Sequence, residues 1–185
     1  MQRQMTHSAV IERARIASVS ETGSDDALAA GADVLALAPG ERPLAVLAVI
    51  ATESERLELE LRLGAAGYVV WAVSTGREAL ELAEQGALDA IVLDLDGLYE
   101  ASRTGAMISG FRLLHLLWRL TRERPVAMVV ITNLDYTEVE GPVRASADDF
   151  INKPVMLPQL LRRLQSARDR VRARHQRSGT AASPA

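Results

Sequence analysis

The sequence predicts an α/β protein: a parallel sheet with helices packed on both faces. Two observations carry this expectation. Five short apolar or β-branched runs alternate with helical stretches between residues 43 and 175, the order expected of strand–helix–strand crossovers. Several of the runs are apolar without alternation, as in strands buried on both faces. Crossovers of this kind are right-handed, and ligand chemistry gathers at the carboxyl ends of the strands.

Each element has its own signal. Leu44–Ile50 (LAVLAVI) is a continuous apolar run and reads as the first strand. Glu53–Ala66 is helical in composition, with Gly67 as its stop. Tyr68–Val73 (YVVWAV) is β-branched and aromatic, hence a second strand. Ser74-Thr75-Gly76 punctuates, and Arg77–Gln85 forms the next helix. Asp89–Leu95 (DAIVLDL) is a third, buried strand, followed by a polar loop. Phe111–Leu120 (FRLLHLLWRL) carries strong helical stripes, and Pro125–Thr132 (PVAMVVIT) is a fourth buried strand. Residues 137–146 make a poor helix, interrupted by Gly141-Pro142. Asp149–Asn152 (DFIN) is a short fifth strand, and residues 157–175 form a long final helix.

Three segments follow: a main domain over 43–175, an N-terminal extension over 1–42 and a tail over 176–185. The extension reads as partly disordered or as one to two short helices (AVIERARIASVS, ALAAGADVLALA). The tail, QRSGTAASPA, reads as disordered and solvated.

Composition removes whole classes of function. A chain of 185 residues suits one domain with flanking segments. No cysteine is present, which excludes disulfides, thiolate nucleophiles and Cys-based zinc sites. The three histidines, His7, His115 and His175, have no ligand spacing between them. The formal net charge of -3 argues against a nucleic-acid coat. No apolar run approaches the ~20 residues that span a membrane, and the N-terminus lacks the apolar core of a signal peptide. A cytoplasmic location is expected. Lysine occurs once, at Lys153, against 20 arginines, and that exception calls for a chemical reason.

The expected strand ends are Ala51–Glu53, Ser74, Asp94–Asp96, Thr132–Asn133 and Lys153. A carboxylate, a hydroxyl and the single lysine would therefore meet at one edge of the sheet. With these residues in place, the stretch 43–172 resembles the response-regulator receiver domain of two-component signalling. The motifs are ASADDFINKP (Ala145–Pro154), DAIVLDLD (Asp89–Asp96), GYVVWAVSTGREALEL (Gly67–Leu82) and VVIT (Val129–Thr132), in that family's order.

The resemblance implies a flavodoxin-like (βα)5 doubly wound sheet with strand order 2-1-3-4-5. It implies that Asp94 accepts a phosphoryl group, that Lys153 pairs with the phosphoryl oxygens, and that Thr132 supplies a switch hydroxyl. Phe150 matches the aromatic whose rotamer reports the switch, and a cis peptide is implied before Pro154. It implies a protein partner, either a histidine kinase or a downstream target, and leaves a homodimer open. An atypical, stand-alone receiver without an output domain is expected, acting by binding rather than as an enzyme.

The pattern departs from that family in three places. The acidic pair that holds Mg2+ at the end of the first strand falls at Ile50-Ala51, where the chain reads VIATESE. Mg2+ is expected to be weakly held, with Asp94 and then Glu53 or Asp96 as its candidate ligands. The loop after Asp94 (DGLYEASRTGAMIS) is longer than the usual turn, and Gly110 is the glycine that opens the next helix. The fourth helix is broken by Gly141-Pro142. Asp148 and Asp149 read as solvated loop acids rather than a metal pair, and His115 and Trp118 as packing residues.

Other readings stand beside this one. A phosphorylation-independent pseudo-receiver would use the same fold as a docking module. Arg162, Arg163, Arg168, Arg170, Arg172, Arg174 and Arg177 line the last helix against Asp169 alone. Arg162, Arg163, Arg168 and Arg170 are the candidate contacts to an acidic partner or, ranked lower, to nucleic acid. A nucleotide-binding enzyme is disfavoured, because no glycine-rich phosphate loop follows the first strand.

Overall fold

The computed structural model describes residues 42–86, 88–134, 141 and 145–180. The expectations for the N-terminal extension and for a broken helix over 137–146 fall largely outside them. Every described residue belongs to the second of two units, Leu37–Ala185.

The strands are β1 (Ala45–Val49), β2 (Val69–Val73), β3 (Ala90–Asp94), β4 (Leu98–Glu100), β5 (Met107–Ser109), β6 (Ala127–Thr132) and β7 (Asp149–Asn152). The helices are α1 (Glu53–Ala65), α2 (Gly76–Gln85), α3 (Gly110–Thr121) and α4 (Leu157–Thr180). Five strands form one parallel sheet in the order β2-β1-β3-β6-β7. Counting only these five gives 2-1-3-4-5, the doubly wound flavodoxin-like order.

Alternation along the central strands divides the core into two layers. Leu47, Val49, Ile91, Leu93, Met128 and Val130 face α2 and α3, meeting Ala79, Ala83, Leu113, Leu114 and Leu117. Val46, Ala48, Val92, Val129, Ile131 and Ile151 face α1 and α4, meeting Leu59, Leu63, Leu160, Leu164 and Ala167. Both faces of the central strands β1, β3 and β6 are covered, which is why these are apolar up to their carboxyl ends. Each fully buried leucine or isoleucine contributes about 1.5–3 kcal/mol.

Helix starts follow local chemistry. Thr75 accepts a hydrogen bond from Glu78 N and donates one to its carboxylate, fixing the first turn of α2. Ser109 does the same for α3 by accepting from Arg112 N.

Two differences from the sequence reading have physical causes. The polar loop after β3 holds an antiparallel hairpin, β4–β5, in the register Leu98↔Ser109, Tyr99↔Ile108 and Glu100↔Met107. Its strands are three residues each, too short for alternation to announce them. Helix α4 runs to Thr180 rather than ending at 175, so part of the expected tail is helical. Among the described residues, no helix is long and apolar enough to cross a membrane.

Candidate functional site

Parallel strand order brings the carboxyl ends of β1, β3, β6 and β7 together. Asp94 ends β3, Thr132 ends β6, and Lys153 follows β7. The Lys153 ammonium donates to Asp94 Oδ2 at 2.9 Å and to Glu55 Oε2 at 2.9 Å. The peptide between Lys153 and Pro154 is cis.

Asp94 and Lys153 differ in exposure. The Asp94 side chain is 4% exposed and that of Lys153 is 15% exposed. Burial pushes the Asp94 carboxyl above its ordinary range, although the hydrogen bond and charge of Lys153 pull the other way. For Lys153, burial alone would lower the ammonium. Hydrogen bonds to Glu55 and Asp94 outweigh that effect and raise it. Lysine has two carboxylates and partial hydration; Asp94 has one cation and almost no water.

Asp96 forms a second cluster. Its Oδ1 accepts from Thr132 Oγ1 at 2.6 Å, and its Oδ2 accepts from Asn133 N at 2.7 Å and Asn133 Nδ2 at 2.9 Å. The Asp96 N–H donates to Asp94 Oδ1 at 3.1 Å, so the backbone turns back over the strand end. Thr132 Oγ1 in turn accepts from Leu134 N at 3.1 Å. Asn152 Nδ2 donates to Leu134 O at 2.8 Å, joining the ends of β6 and β7.

Tyr99 closes the pocket from below. It is the fully buried middle residue of β4 in the hairpin. Its hydroxyl donates to the Asp94 carbonyl at 2.6 Å and lies 3.1 Å from the Val49 carbonyl. Burial, followed by the charges of Asp94 and Asp96, pushes this phenol far above its ordinary value, so it stays protonated. Tyr99→Phe keeps the ring but removes the donor to the Asp94 carbonyl and the hydroxyl's contact with the Val49 carbonyl. A stability loss of about 1–2 kcal/mol is expected in a urea titration. An unchanged midpoint would mean that the hydroxyl does not tie β1 to β3.

At the end of β1 stand Ile50, which is buried, and Ala51. Arg56 donates to the carbonyls of both, at 3.2 and 3.4 Å. Among the described residues, no group of three or more His, Asp or Glu side chains is arranged to hold a metal ion.

The other expected residues fall as follows. Glu53 is exposed in the first turn of α1; Glu55, two residues on, is the carboxylate that reaches Lys153. Phe150 is half-buried against the layer that contains α2 and α3. Arg163 and Arg170 pair with Asp149 at 2.9 and 3.0 Å, and Arg174 pairs with Asp148. Arg172 pairs with the buried Asp89 at 3.3 Å, and Arg168 with Asp169 at 3.4 Å. Asp148 and Asp149 are therefore engaged acids rather than solvated ones, because α4 crosses above them. Arg162 is exposed and lines a cavity of about 610 Å³ with Lys153, Met156 and Leu59. The His115 and Trp118 rings stack at 6.0 Å, and Arg122 lies 5.7 Å over Trp118.

Sequence reasoning missed Glu55, Arg56 and Tyr99. Helical spacing from Thr52 could have placed Glu55 and Arg56 on the first turn of α1, facing the strand ends. Tyr99 had no comparable signal.

No protein-family model matches the sequence, and no curated protein matches it. Solved structures do. The chemotaxis protein CheY4 of Vibrio cholerae is 25% identical with a TM-score of 0.58, over 68% of this chain and 98% of that one. The receiver domain of a sensor histidine kinase from Pseudomonas aeruginosa PAO1, described with magnesium in its active-site cleft, is 23% identical with a TM-score of 0.57. That match covers 69% of this chain and 98% of the other. A CheY-like receiver domain protein from Methanospirillum hungatei is 21% identical with a TM-score of 0.58, over 71% and 98%. Sheet order and these likenesses give the described unit the fold of CheY-like response-regulator receiver domains, and its strand-end site lies at the carboxyl edge of that fold.

Proposed function

We propose that the protein is a signal-transduction module of the two-component type, with Asp94 as its phosphoacceptor and a protein as its partner. The observation that carries this reading is the buried Asp94 carboxylate held 2.9 Å from the only lysine at the carboxyl edge of a parallel sheet. An Asp94 carboxylate oxygen would attack the phosphorus of a donor. The new O–P bond forms as the donor's bond to phosphorus breaks, and the leaving group departs with the electron pair. Lys153 places a positive charge beside the oxygens on which negative charge develops. The module's role is to bind and signal, not to turn over a substrate.

The Mg2+ that the resemblance implies does not fit these residues. The end of β1 offers Ile50 and Ala51 instead of carboxylates, and the Arg56 guanidinium sits on their carbonyls. Asp94 is engaged by Lys153, and Asp96 by Thr132 and Asn133. One or two free carboxylates are the usual minimum for the ion.

Intact-mass spectrometry after incubation with acetyl phosphate, with and without added Mg2+, tests the reading. An adduct of roughly 80 Da on the parent, absent from Asp94→Asn, is expected. No adduct in either buffer would overturn the phosphoacceptor assignment. A second reading, phosphorylation-independent docking through the same fold, would then be favoured by the displaced metal site. In either reading the partner is a protein. The arginines of α4 are mostly occupied by Asp148, Asp149 and Asp89, which favours a protein over nucleic acid.

A further inference from the structure

The Asp96 carboxylate does more than cap a turn. It takes three hydrogen bonds from one short stretch: Thr132 Oγ1, Asn133 N and Asn133 Nδ2, all between 2.6 and 2.9 Å. These are charge-assisted bonds to an ionised acceptor, the stronger class of hydrogen bond. They fasten the segment after β6 onto the segment after β3. The link continues through Leu134, whose N–H bonds Thr132 Oγ1 and whose carbonyl accepts from Asn152 Nδ2. One carboxylate therefore holds the strand ends of β3, β6 and β7 in a single arrangement.

We infer that Asp96 is an internal latch: its carboxylate occupies, as a built-in anion, the donors at Thr132 and Asn133 that an incoming tetrahedral oxyanion would otherwise use. This deepens the proposed reading and rests on it for its signalling meaning, since the donors adjoin Asp94. Two physical consequences follow. An oxyanion entering beside Lys153 must displace Asp96 from Thr132 and Asn133 before it can use them, so its apparent affinity falls by the fraction of molecules in which the latch is open. It must also approach a site where Asp94 and Glu55 already hold the Lys153 ammonium, and where Asp96 adds a further negative charge beside Asp94. Removing Asp96 lifts the first effect and lessens the second. Asn133 and Leu134 would then be free to move, and their arrangement would depend on the occupant of the pocket rather than on the Asp96 carboxylate.

The test uses the full-length chain and two variants. Asp96 is exposed, so its replacement leaves the core untouched. Amide hydrogen exchange by NMR reads the latch directly, because the Asn133 and Leu134 amides are part of it. In Asp96→Ala their exchange is expected to accelerate at least ~10-fold, while the Leu95 amide, bonded to Ile131 O at 2.9 Å, stays as protected as in the parent. Asp96→Asn, which keeps an acceptor oxygen without the charge, falls between them. Equal exchange at Asn133 and Leu134 in parent and Asp96→Ala overturns the latch. Titration with inorganic phosphate, followed by the same two amide signals, supplies the second readout. The apparent dissociation constant is expected to be at least ~10-fold lower for Asp96→Ala than for the parent. Equal affinities would show that Asp96 does not compete for these donors, and would likewise overturn it. Neither readout needs a phosphoryl group on Asp94. Failure of the labelling experiment therefore leaves the latch standing, and failure of the latch leaves the labelling result standing.

Discussion

Gly110→Ala is expected to destabilise the domain by about 3 kcal/mol, the upper part of the range for overpacking a tight site. A methyl group there would lie 2.3 Å from the Leu95 carbonyl oxygen, 2.7 Å from its carbon and 2.8 Å from Leu95 Cα. These are backbone atoms, so no side-chain rotation relieves the clash. Leu95 cannot retreat either, because its amide donates to Ile131 O at 2.9 Å as the last bond between β3 and β6. Helix α3 must therefore move instead. That shift opens the Gly110 N–Gly97 O bond of 3.0 Å, where the two ends of the hairpin segment meet. It also loosens Tyr99 beneath Asp94 and disturbs Leu113, Leu114 and Leu117 in the core. Thermal unfolding should show a midpoint lower by roughly 10 °C. Gly64→Ala in α1 is the control. A methyl there meets nothing within 4 Å, and alanine should stabilise the helix by about 0.5–1 kcal/mol. Equal, small effects at both positions would refute the close approach at Gly110.

That contrast also marks how far the sequence could be read. The five-stranded sheet was legible because its strands are covered on both faces, and continuous apolar runs such as LAVLAVI arise from little else in a short segment. Asp94, Thr132 and Lys153 were legible because each sits at a strand end, where the topology gathers polar groups. Contacts made by pairing across the chain were not legible. The arginines of α4 read as an unopposed basic face because their acids lie far away in sequence: Asp89 is 83 residues from Arg172, and Asp148 is 26 from Arg174. Glu53 looked like the pocket carboxylate because it is nearest in sequence, yet the first turn of α1 points Glu55 at Lys153. Asp96 read as a metal ligand from its place beside Asp94. The tight return of the backbone, with Asp96 N on Asp94 Oδ1, turns its side chain to Thr132 instead. The hairpin was hidden because it carries one buried tyrosine, and one residue has no period.

Lys153→Met should cost about 3 kcal/mol at neutral pH, because it leaves Asp94 as a buried charge without a cation. The Asp96 N–H would be the remaining donor described on that carboxylate. Glu55, half-exposed, would return to water at little cost. The loss should depend on pH. Burial already raises the Asp94 carboxyl in the parent, so between its ordinary and raised values the native state binds more protons than the unfolded chain. Stability therefore falls as pH rises through that window. Removing the lysine takes away the groups that pull Asp94 down, so the window widens upward and the fall becomes larger. The parent and Lys153→Met should thus be nearly alike below about pH 4, where the carboxyl is protonated in both states. They should diverge as pH climbs toward neutral. At the alkaline end the difference closes: the ammonium is raised in the folded state, so its contribution is lost as pH rises from the ordinary lysine value through the raised one. The variant and parent should then converge again. Asp94→Asn alone should lose little, because Lys153 keeps Glu55. Combined with Lys153→Met, it should recover most of the lost stability, since no buried charge is left unpaired. Urea titrations of the four proteins across pH decide the matter. A loss in Lys153→Met that is equal at acid and neutral pH, or that is not recovered in the double variant, would assign Lys153 to packing rather than to holding the Asp94 charge.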